Sequence, residues 1–364
     1  MNQRFGAFPS SGGTRAVLGL AFAFTVLLGG ARPAHATKAE KVSLDEETPS
    51  DKPKESEDAS KSSGDAGEAG EATDSGDGPK VRRVIPPYSL PWQLRPVLPM
   101  TMARLDTSFA FYGVNGSSIV SFASGSYKII RQVSVFAKLG VAENSPPPSN
   151  PSGSSAGTTN EGGFNFLNPT LGGQLGFWPA KSLKLGVSLG VTLPVGGGGS
   201  TADAGAKETN FRGMLARSGF DNAHFMVDYF AVLPGVDLAL VTHNLTLQGE
   251  LNLGVLMKVR GLQTQKSSAT DFSMGLHAGY FLFPFLSAGL DLRYQTWLGK
   301  PSYVANDTTG TLRDNFTIGV GPRFHVKLSE NLVFRPGASL SFGFDNPMSG
   351  SSYKIVQLDL PFVF

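Results

Sequence analysis

The chain has 364 residues, of which 40% are hydrophobic and 45 are glycine, and its formal net charge at pH 7 is +2. It contains no cysteine, which excludes a disulfide framework, a thiolate metal site, a cysteine nucleophile and a lipid-anchored amino-terminal cysteine. A net charge this close to zero gives no indication of nucleic-acid binding.

Residues 1–36 have the features of a signal peptide. Two arginines precede an apolar run at 16–30, and the following ARPAHA ends in the A-x-A cleavage pattern of Ala34 and Ala36. A membrane-spanning helix needs about 20 apolar residues, whereas this run has 15. We therefore predict cleavage after Ala36 and export from the cytoplasm, the alternative being an uncleaved anchor.

Residues 37–80 contain 13 acidic and 6 basic residues and no aromatic residue. Such a segment cannot bury enough apolar surface to offset the entropy lost on ordering, so it is predicted to be a disordered periplasmic linker. The alternative is an acidic tether for a basic partner or for divalent cations. Residues 81–102 are rich in proline, which excludes a regular helix or central strand, and we assign them to a periplasmic segment.

Residues 103–364 alternate polar and apolar residues at a period of two, as in LKLGVSLGVTL at 183–193. This period is typical of strands with one apolar face, and no later stretch has a helical period over a core-sized length. The region is therefore predicted to be all-β. The predicted strands are 103–113, 117–125, 128–142, 164–178, 183–194, 223–241, 245–259, 271–283, 286–298, 312–328, 331–344 and 352–364.

The lengths of strands and connections favour a membrane barrel over a soluble sandwich or barrel. Most of the strands exceed the usual five or six residues and suit a tilted bilayer crossing of about 9–11. Long connections such as 143–163 and 195–222 alternate with short ones such as 242–244. We predict a transmembrane antiparallel up-and-down β-barrel of about 12 strands, with both ends in the periplasm. The glycine-rich 196–201 is predicted to be a flexible part of a long loop.

The end of the chain carries apolar residues at every second position and stops on an aromatic residue. This pattern resembles the carboxy-terminal assembly signal of Gram-negative outer-membrane barrels. The resemblance implies outer-membrane localisation, contact with lipid and lipopolysaccharide, and recognition by the barrel-assembly machinery. The matching residues are Val356, Leu358, Leu360, Phe362 and Phe364.

The polar faces of the strands carry charges that would point into the lumen. Two interpretations remain open: a selectivity lining for a pore, or charges that pair across strands as in any polar interior. Residues 81–364 hold 22 basic and 16 acidic residues, which favours anionic solutes. The candidate lumen-lining residues are Arg104, Asp106, Glu250, Asp291, Arg293, Arg323, Arg335 and Asp359.

Catalytic and metal-binding patterns are absent from the sequence. No histidine after the signal peptide has a partner at metal-ligand spacing, and no nucleophile and base set stands out. We therefore expect no enzyme activity, no catalytic residue, no metal and no cofactor.

One stretch, NPTLGGQLGFWPAKSLKLGVSLGVTLPVGGG at 168–198, resembles the transporter-like outer-membrane family named after the meta-pathway of phenol degradation. That family pairs an alternating strand ending in Leu-Pro with a glycine-rich loop, and related fatty-acid transporters carry an Asn-Pro near a strand start. The resemblance implies import of small hydrophobic molecules. We expect a passive channel or transporter for small solutes, hydrophobic or anionic. The alternatives are a structural or surface-binding barrel without conductance, or an outer-membrane hydrolase.

Overall fold

A computed structural model describes residues 88–112, 116–145, 162–307, 312–345, 348–349 and 352–364. Its strands form one closed antiparallel β-barrel, because β1 pairs with β2 on one side and with β15 on the other. The predicted signal peptide and acidic linker lie outside the described residues. The strands are β1 (Met102–Phe111), β2 (Ser117–Ile130), β3 (Val133–Ser145), β4 (Gly163–Phe166), β5 (Thr170–Phe177), β6 (Leu183–Thr192), β7 (Tyr229–Thr242), β8 (Leu245–Lys258), β9 (Ser268–Phe283), β10 (Leu286–Gly299), β11 (Asp314–Phe324), β12 (Val326–Lys327), β13 (Val333–Phe334), β14 (Gly337–Gly343) and β15 (Lys354–Val363).

Within the described residues the barrel has twelve strands, since three pairs of short strands each continue one another. These pairs are β4 with β5, β11 with β12, and β13 with β14. The predicted fold class and strand number are confirmed. An even number places the start of β1 and the end of β15 at one end of the barrel, with the short turns such as 243–244. We call this the short-turn end and the opposite end, with connections such as 193–228, the long-loop end.

The outer face of the barrel is apolar. On β8, Leu247, Leu251 and Val255 are exposed, whereas Gln248 and Glu250 are buried inside. Exposed aliphatic and aromatic side chains recur on the other long strands, among them Leu189, Leu238, Leu276 and Val320. A continuous apolar surface of this kind is unfavourable in water and suits lipid, where a closed barrel leaves no backbone group unpaired.

We expect Leu251→Arg to lower the free energy of unfolding by about 2–4 kcal/mol, the cost of a basic side chain at the bilayer midplane. Leu251 lies near the middle of β8 and is 47% exposed on the outer face. The measurement is urea unfolding of the barrel in lipid vesicles, followed by tryptophan fluorescence.

Leu262→Arg is the matched control, because Leu262 is 48% exposed but lies in the connection after β8. It should change stability by less than about 0.5 kcal/mol, as surface substitutions usually do. Equal losses for the two variants would show that the outer face of β8 does not meet lipid.

The second and third strands differ from the prediction. The sequence predicts strands at 117–125 and 128–142, but β2 runs on to Ile130 and β3 begins at Val133. Gly125 pairs with Ala103 and Ala137 in the sheet. The alternation of the strand continues through it, so this glycine does not mark a turn.

The connection between β6 and β7 contains two helices, α1 (Ala204–Ala216) and α2 (Asn222–Phe225), where the sequence predicted only a loop. A third, α3 (Ser302–Ala305), follows β10. Asp203 caps α1, its Oδ1 accepting from the Ala206 amide at 2.7 Å, as helix N-caps commonly do. The strand predicted from 223 begins only at Tyr229, because α2 occupies its first residues. No helix among the described residues is long and apolar enough to cross a membrane.

We call residues 193–228 the insert, because their helices pack inside the barrel at the long-loop end. Met214, Leu215 and Phe225 join an apolar cluster with wall residues that include Val120 and Phe122. The glycine-rich part is packed and is not a flexible linker, because the Gly196 amide donates to Asn168 Oδ1 at 2.9 Å. The Nδ2 of the same Asn168 donates to the carbonyls of Met226 and Tyr229.

Candidate functional site

Residues 88–100 lie inside the barrel, although the sequence analysis assigned them to a periplasmic segment. We call them the plug. The plug enters at the short-turn end, where the Ser89 amide donates to Thr246 Oγ1 at 3.0 Å, and rises to the middle of the lumen at Leu94 and Arg95. It forms no strand or helix, as its prolines predict. Trp92 and Leu94 are fully buried.

Side chains of the wall hold the plug in place. Gln174 Nε2 donates to the Pro96 carbonyl at 2.7 Å, and Gln248 Nε2 donates to the Arg95 carbonyl at 2.7 Å. Gln357 Nε2 donates to the Trp92 carbonyl at 3.1 Å. Among the described residues, no backbone-to-backbone hydrogen bond joins the plug to the barrel. The plug is therefore held by side-chain contacts and not by pairing with the strands.

The plug and the insert meet at the centre of the barrel. A Cβ atom at Gly275 of β9 would lie 2.8 Å from Leu94 and 2.9 Å from Phe220. Both side chains therefore press on the same point of the wall, and only a glycine leaves room for them. The plug and the insert therefore both occupy the lumen at that level.

An arginine pair shares one carboxylate at the short-turn end. Arg104 Nε donates to Asp359 Oδ1 at 2.6 Å, and Arg323 Nη2 donates to Asp359 Oδ2. Both guanidinium groups also donate to the plug carbonyl of Pro91. Because Asp359 is fully buried, this cluster fixes the plug against β1, β11 and β15.

A serine, a histidine and an aspartate form a chain of close contacts beside the arginine pair. Ser89 Oγ lies 3.4 Å from His277 Nε2, and His277 Nδ1 lies 2.6 Å from Asp291 Oδ1. The order serine, histidine, aspartate is that of the catalytic triad of hydrolases. The three residues are far apart in the sequence, so their spacing along the chain does not indicate this arrangement. All three side chains are buried, and none lines the cavity described below. The contact between Ser89 and His277 joins the plug to β9, so this chain of contacts helps to dock the plug.

The insert is fixed by Arg217, the residue that ends α1. Its Nη2 lies 2.7 Å from Asp106 Oδ2, and its Nε donates to Asp221 Oδ2 at 2.9 Å. Burial alone would raise the pKa of the Asp221 carboxyl, but the positive charges of Lys138 and Arg217 outweigh it and hold that pKa below its usual range. Burial lowers the pKa of the neighbouring His224 to about 4, so its ring is neutral at pH 7.

A cavity of about 170 Å³ lies between the plug and the insert. Leu98, Phe136 and Leu233 form part of an apolar lining, and Arg95, Lys138 and Glu250 bring charged groups to it. This combination of apolar walls with a few polar groups is typical of small-molecule sites. No group of three or more His, Cys, Asp or Glu side chains within the described ranges could hold a metal ion.

The eight candidate lumen-lining residues all have their side chains on the inner side of the barrel. Arg104, Asp106 and Glu250 line the cavity. Asp291 pairs with Arg293 at 3.2 Å, while Arg323 and Asp359 belong to the arginine pair. Arg335 donates to the Tyr88 carbonyl of the plug at 2.9 Å. These charges are paired or bound to the plug and do not face an open pore.

Several residues of the site were missed in the sequence. Arg95 and Arg217 lie outside the strands, where alternation gives no information. Asp237 is the only charged residue of β7, and a single acidic residue in an otherwise apolar strand should point inward, so this signal was available. The five residues of the predicted assembly signal have their side chains on the outer face of β15.

No protein-family model matches this chain, and no curated protein matches it. Among solved structures, an outer membrane channel from Pseudomonas putida F1 is 11% identical with a TM-score of 0.45, covering 76% of this chain and 97% of its own. The KdgM porin is 8% identical with a TM-score of 0.39, covering 72% and 99%. The toluene transporter TodX from Pseudomonas putida is 11% identical with a TM-score of 0.31, covering 72% and 88%. At such low identities and TM-scores these likenesses carry no argument about function.

Proposed function

We propose that this protein is an outer-membrane channel or passive transporter for small solutes, with its lumen occupied in this structure by its own plug. The observation that carries the proposal is the cavity of about 170 Å³ between the plug and the insert. The apolar outer face supports a location in the outer membrane, and the cleavage pattern ending at Ala36 supports export. The plug is held by side-chain contacts, without backbone hydrogen bonds to the described part of the wall, which favours a plug that moves to let solutes pass.

The resemblance of residues 168–198 to the meta-pathway phenol-degradation family supports small hydrophobic solutes, as do the apolar walls of the cavity. Outer-membrane lipid, lipopolysaccharide and the barrel-assembly machinery are the partners this location implies. The charge excess of residues 81–364 is a weaker guide to the solute, because the charges described above are paired.

A second candidate is a structural or surface-binding barrel that never conducts. It is favoured by the packing of Leu94 and Phe220 inside the lumen and by the paired lumen charges. The two candidates differ in one measurable property, which is passage of solute through a correctly folded barrel.

The test is ion conductance in planar bilayers together with solute-swelling assays in vesicles, using full-length protein whose folding is verified by heat-modifiable gel mobility. We expect discrete openings as the plug moves. A folded protein that is silent in both assays would contradict the channel and leave the structural barrel.

We expect removal of Phe364 to lower the amount of protein in the outer membrane several-fold, because the resemblance makes it the last residue of the assembly signal. The control is Phe344→Ala, since Phe344 is an equally exposed aromatic residue in the connection after β14. The measurement is immunoblotting of outer-membrane fractions. Equal levels for both variants would argue against the signal.

A further inference from the structure

Two carboxylates face each other on the inner wall, one strand apart. Asp237 of β7 is the cross-strand partner of Glu250 of β8, and both side chains are buried. Like charges placed directly opposite destabilise a sheet, and the cost rises when water is excluded. A cation between its members, or a proton shared by them, relieves such a pair.

The cation in this structure is Arg95 of the plug. Its Nη2 lies 3.4 Å from Glu250 Oε1 and 3.7 Å from Asp237 Oδ1, and it donates to Asn252 Oδ1. The Arg95 amide donates to Glu250 Oε2 at 2.6 Å. The wall has room for the Arg95 guanidinium group at this point because residue 235 is a glycine. A Cβ atom at Gly235 would overlap Arg95 Nη2 and lie 2.8 Å from Ser188 Oγ.

Arg95 fills this site incompletely. Both oxygens of Asp237 and the Oγ of Ser188 have no hydrogen-bond partner among the described residues, and Arg95 Nε donates to none. Ser188 is the cross-strand partner of Gly235 and is buried. Asp237 is paired with Arg95 only at 3.7 Å, and a buried carboxylate or hydroxyl without a hydrogen bond is costly, so the wall offers more acceptors than Arg95 uses.

We propose that Asp237, Glu250, Asn252 and Ser188 form a binding site for a small organic cation carrying a guanidinium or primary ammonium group, with Arg95 as its resident competitor. These groups accept hydrogen bonds, which suits a ligand head that only donates. When the plug is displaced, Arg95 is withdrawn and the two buried carboxylates lose their cation. A solute cation that takes its place restores this pairing, and so favours the displaced plug. This inference rests on the proposed function for the route by which the cation enters.

The experiment measures agmatine binding to full-length protein in detergent micelles by calorimetry. Arg95→Ala should bind agmatine about tenfold or more tightly than the wild type, because the site no longer has to be vacated first. Adding Asp237→Asn to Arg95→Ala should abolish that gain. Arg313→Ala is the matched control, since Arg313 forms an exposed pair with Asp314 and does not contact the plug; it should give no gain.

A second measurement uses the wild-type site and does not depend on the stability of Arg95→Ala. With Ser89→Cys as the only cysteine, agmatine should accelerate maleimide labelling by exposing the plug, whereas urea at the same low concentration should not. The proposal is overturned if Arg95→Ala binds agmatine no better than the wild type, if Asp237→Asn leaves binding unchanged, or if Ca²⁺ binds in preference to agmatine. Agmatine binding by a barrel silent in bilayers would contradict the channel alone, and conductance without agmatine binding would contradict this site alone.

Discussion

A disulfide between Ser89→Cys and Ser287→Cys is expected to abolish solute passage, and dithiothreitol is expected to restore it. The two hydroxyl oxygens lie 3.4 Å apart, so a small approach brings two sulfur atoms to the bonding distance of about 2.05 Å. Because the chain has no native cysteine, no other disulfide can form. The bond would tie the plug to β10, and a plug that cannot move keeps Leu94 and Arg95 inside the lumen.

The matched control is a disulfide between two strands of the barrel wall. Thr107 Oγ1 and Ser121 Oγ lie 3.0 Å apart on β1 and β2, so Thr107→Cys with Ser121→Cys forms a similar bond without touching the plug. Conductance of this variant should be the same before and after oxidation. Undiminished passage through the oxidised Ser89→Cys, Ser287→Cys protein would show that solutes cross without displacement of the plug.

The wall of the barrel could be predicted from the sequence because lipid imposes a strict period on it. On β8 and β15 every second residue meets the outside, and apolar residues there alternate with polar ones facing in. The same rule assigned Asp291 and Arg293 to the interior. It was wrong by a few residues at the end of β2, which continues past the predicted 125 to Ile130.

The contents of the lumen could not be predicted in this way. A segment inside a polar lumen has no need for an apolar face of fixed period, and α1 accordingly buries Thr209 and Asn210 together with Met214. The plug is irregular, and its position depends on side chains of distant strands, as with Arg95 and Glu250, 155 residues apart. The spacing of residues along the chain does not indicate such contacts. Proline content predicted that the plug would be irregular but not that it would lie inside the barrel.

Asp359→Asn is expected to lower the free energy of unfolding by about 3–5 kcal/mol, the usual cost of removing one partner from a buried ion pair. Asp359 is fully buried and is the only carboxylate within ion-pair distance of Arg104 and Arg323 among the described residues. The amide that replaces it carries no charge, so two buried guanidinium groups would face each other uncompensated. The plug should loosen as well, because both arginines also donate to the Pro91 carbonyl.

Urea unfolding in lipid vesicles, followed by tryptophan fluorescence, measures this loss, and Asp314→Asn provides the control for the same chemical change. Asp314 forms an exposed pair with Arg313 at 3.8 Å, and exposed pairs contribute less than about 1 kcal/mol. If the two variants lose equally little, water reaches Arg104 and Arg323 in the folded protein. The short-turn end would then be an open aqueous vestibule, and the plug would be held by its contacts with Glu250 and His277 instead.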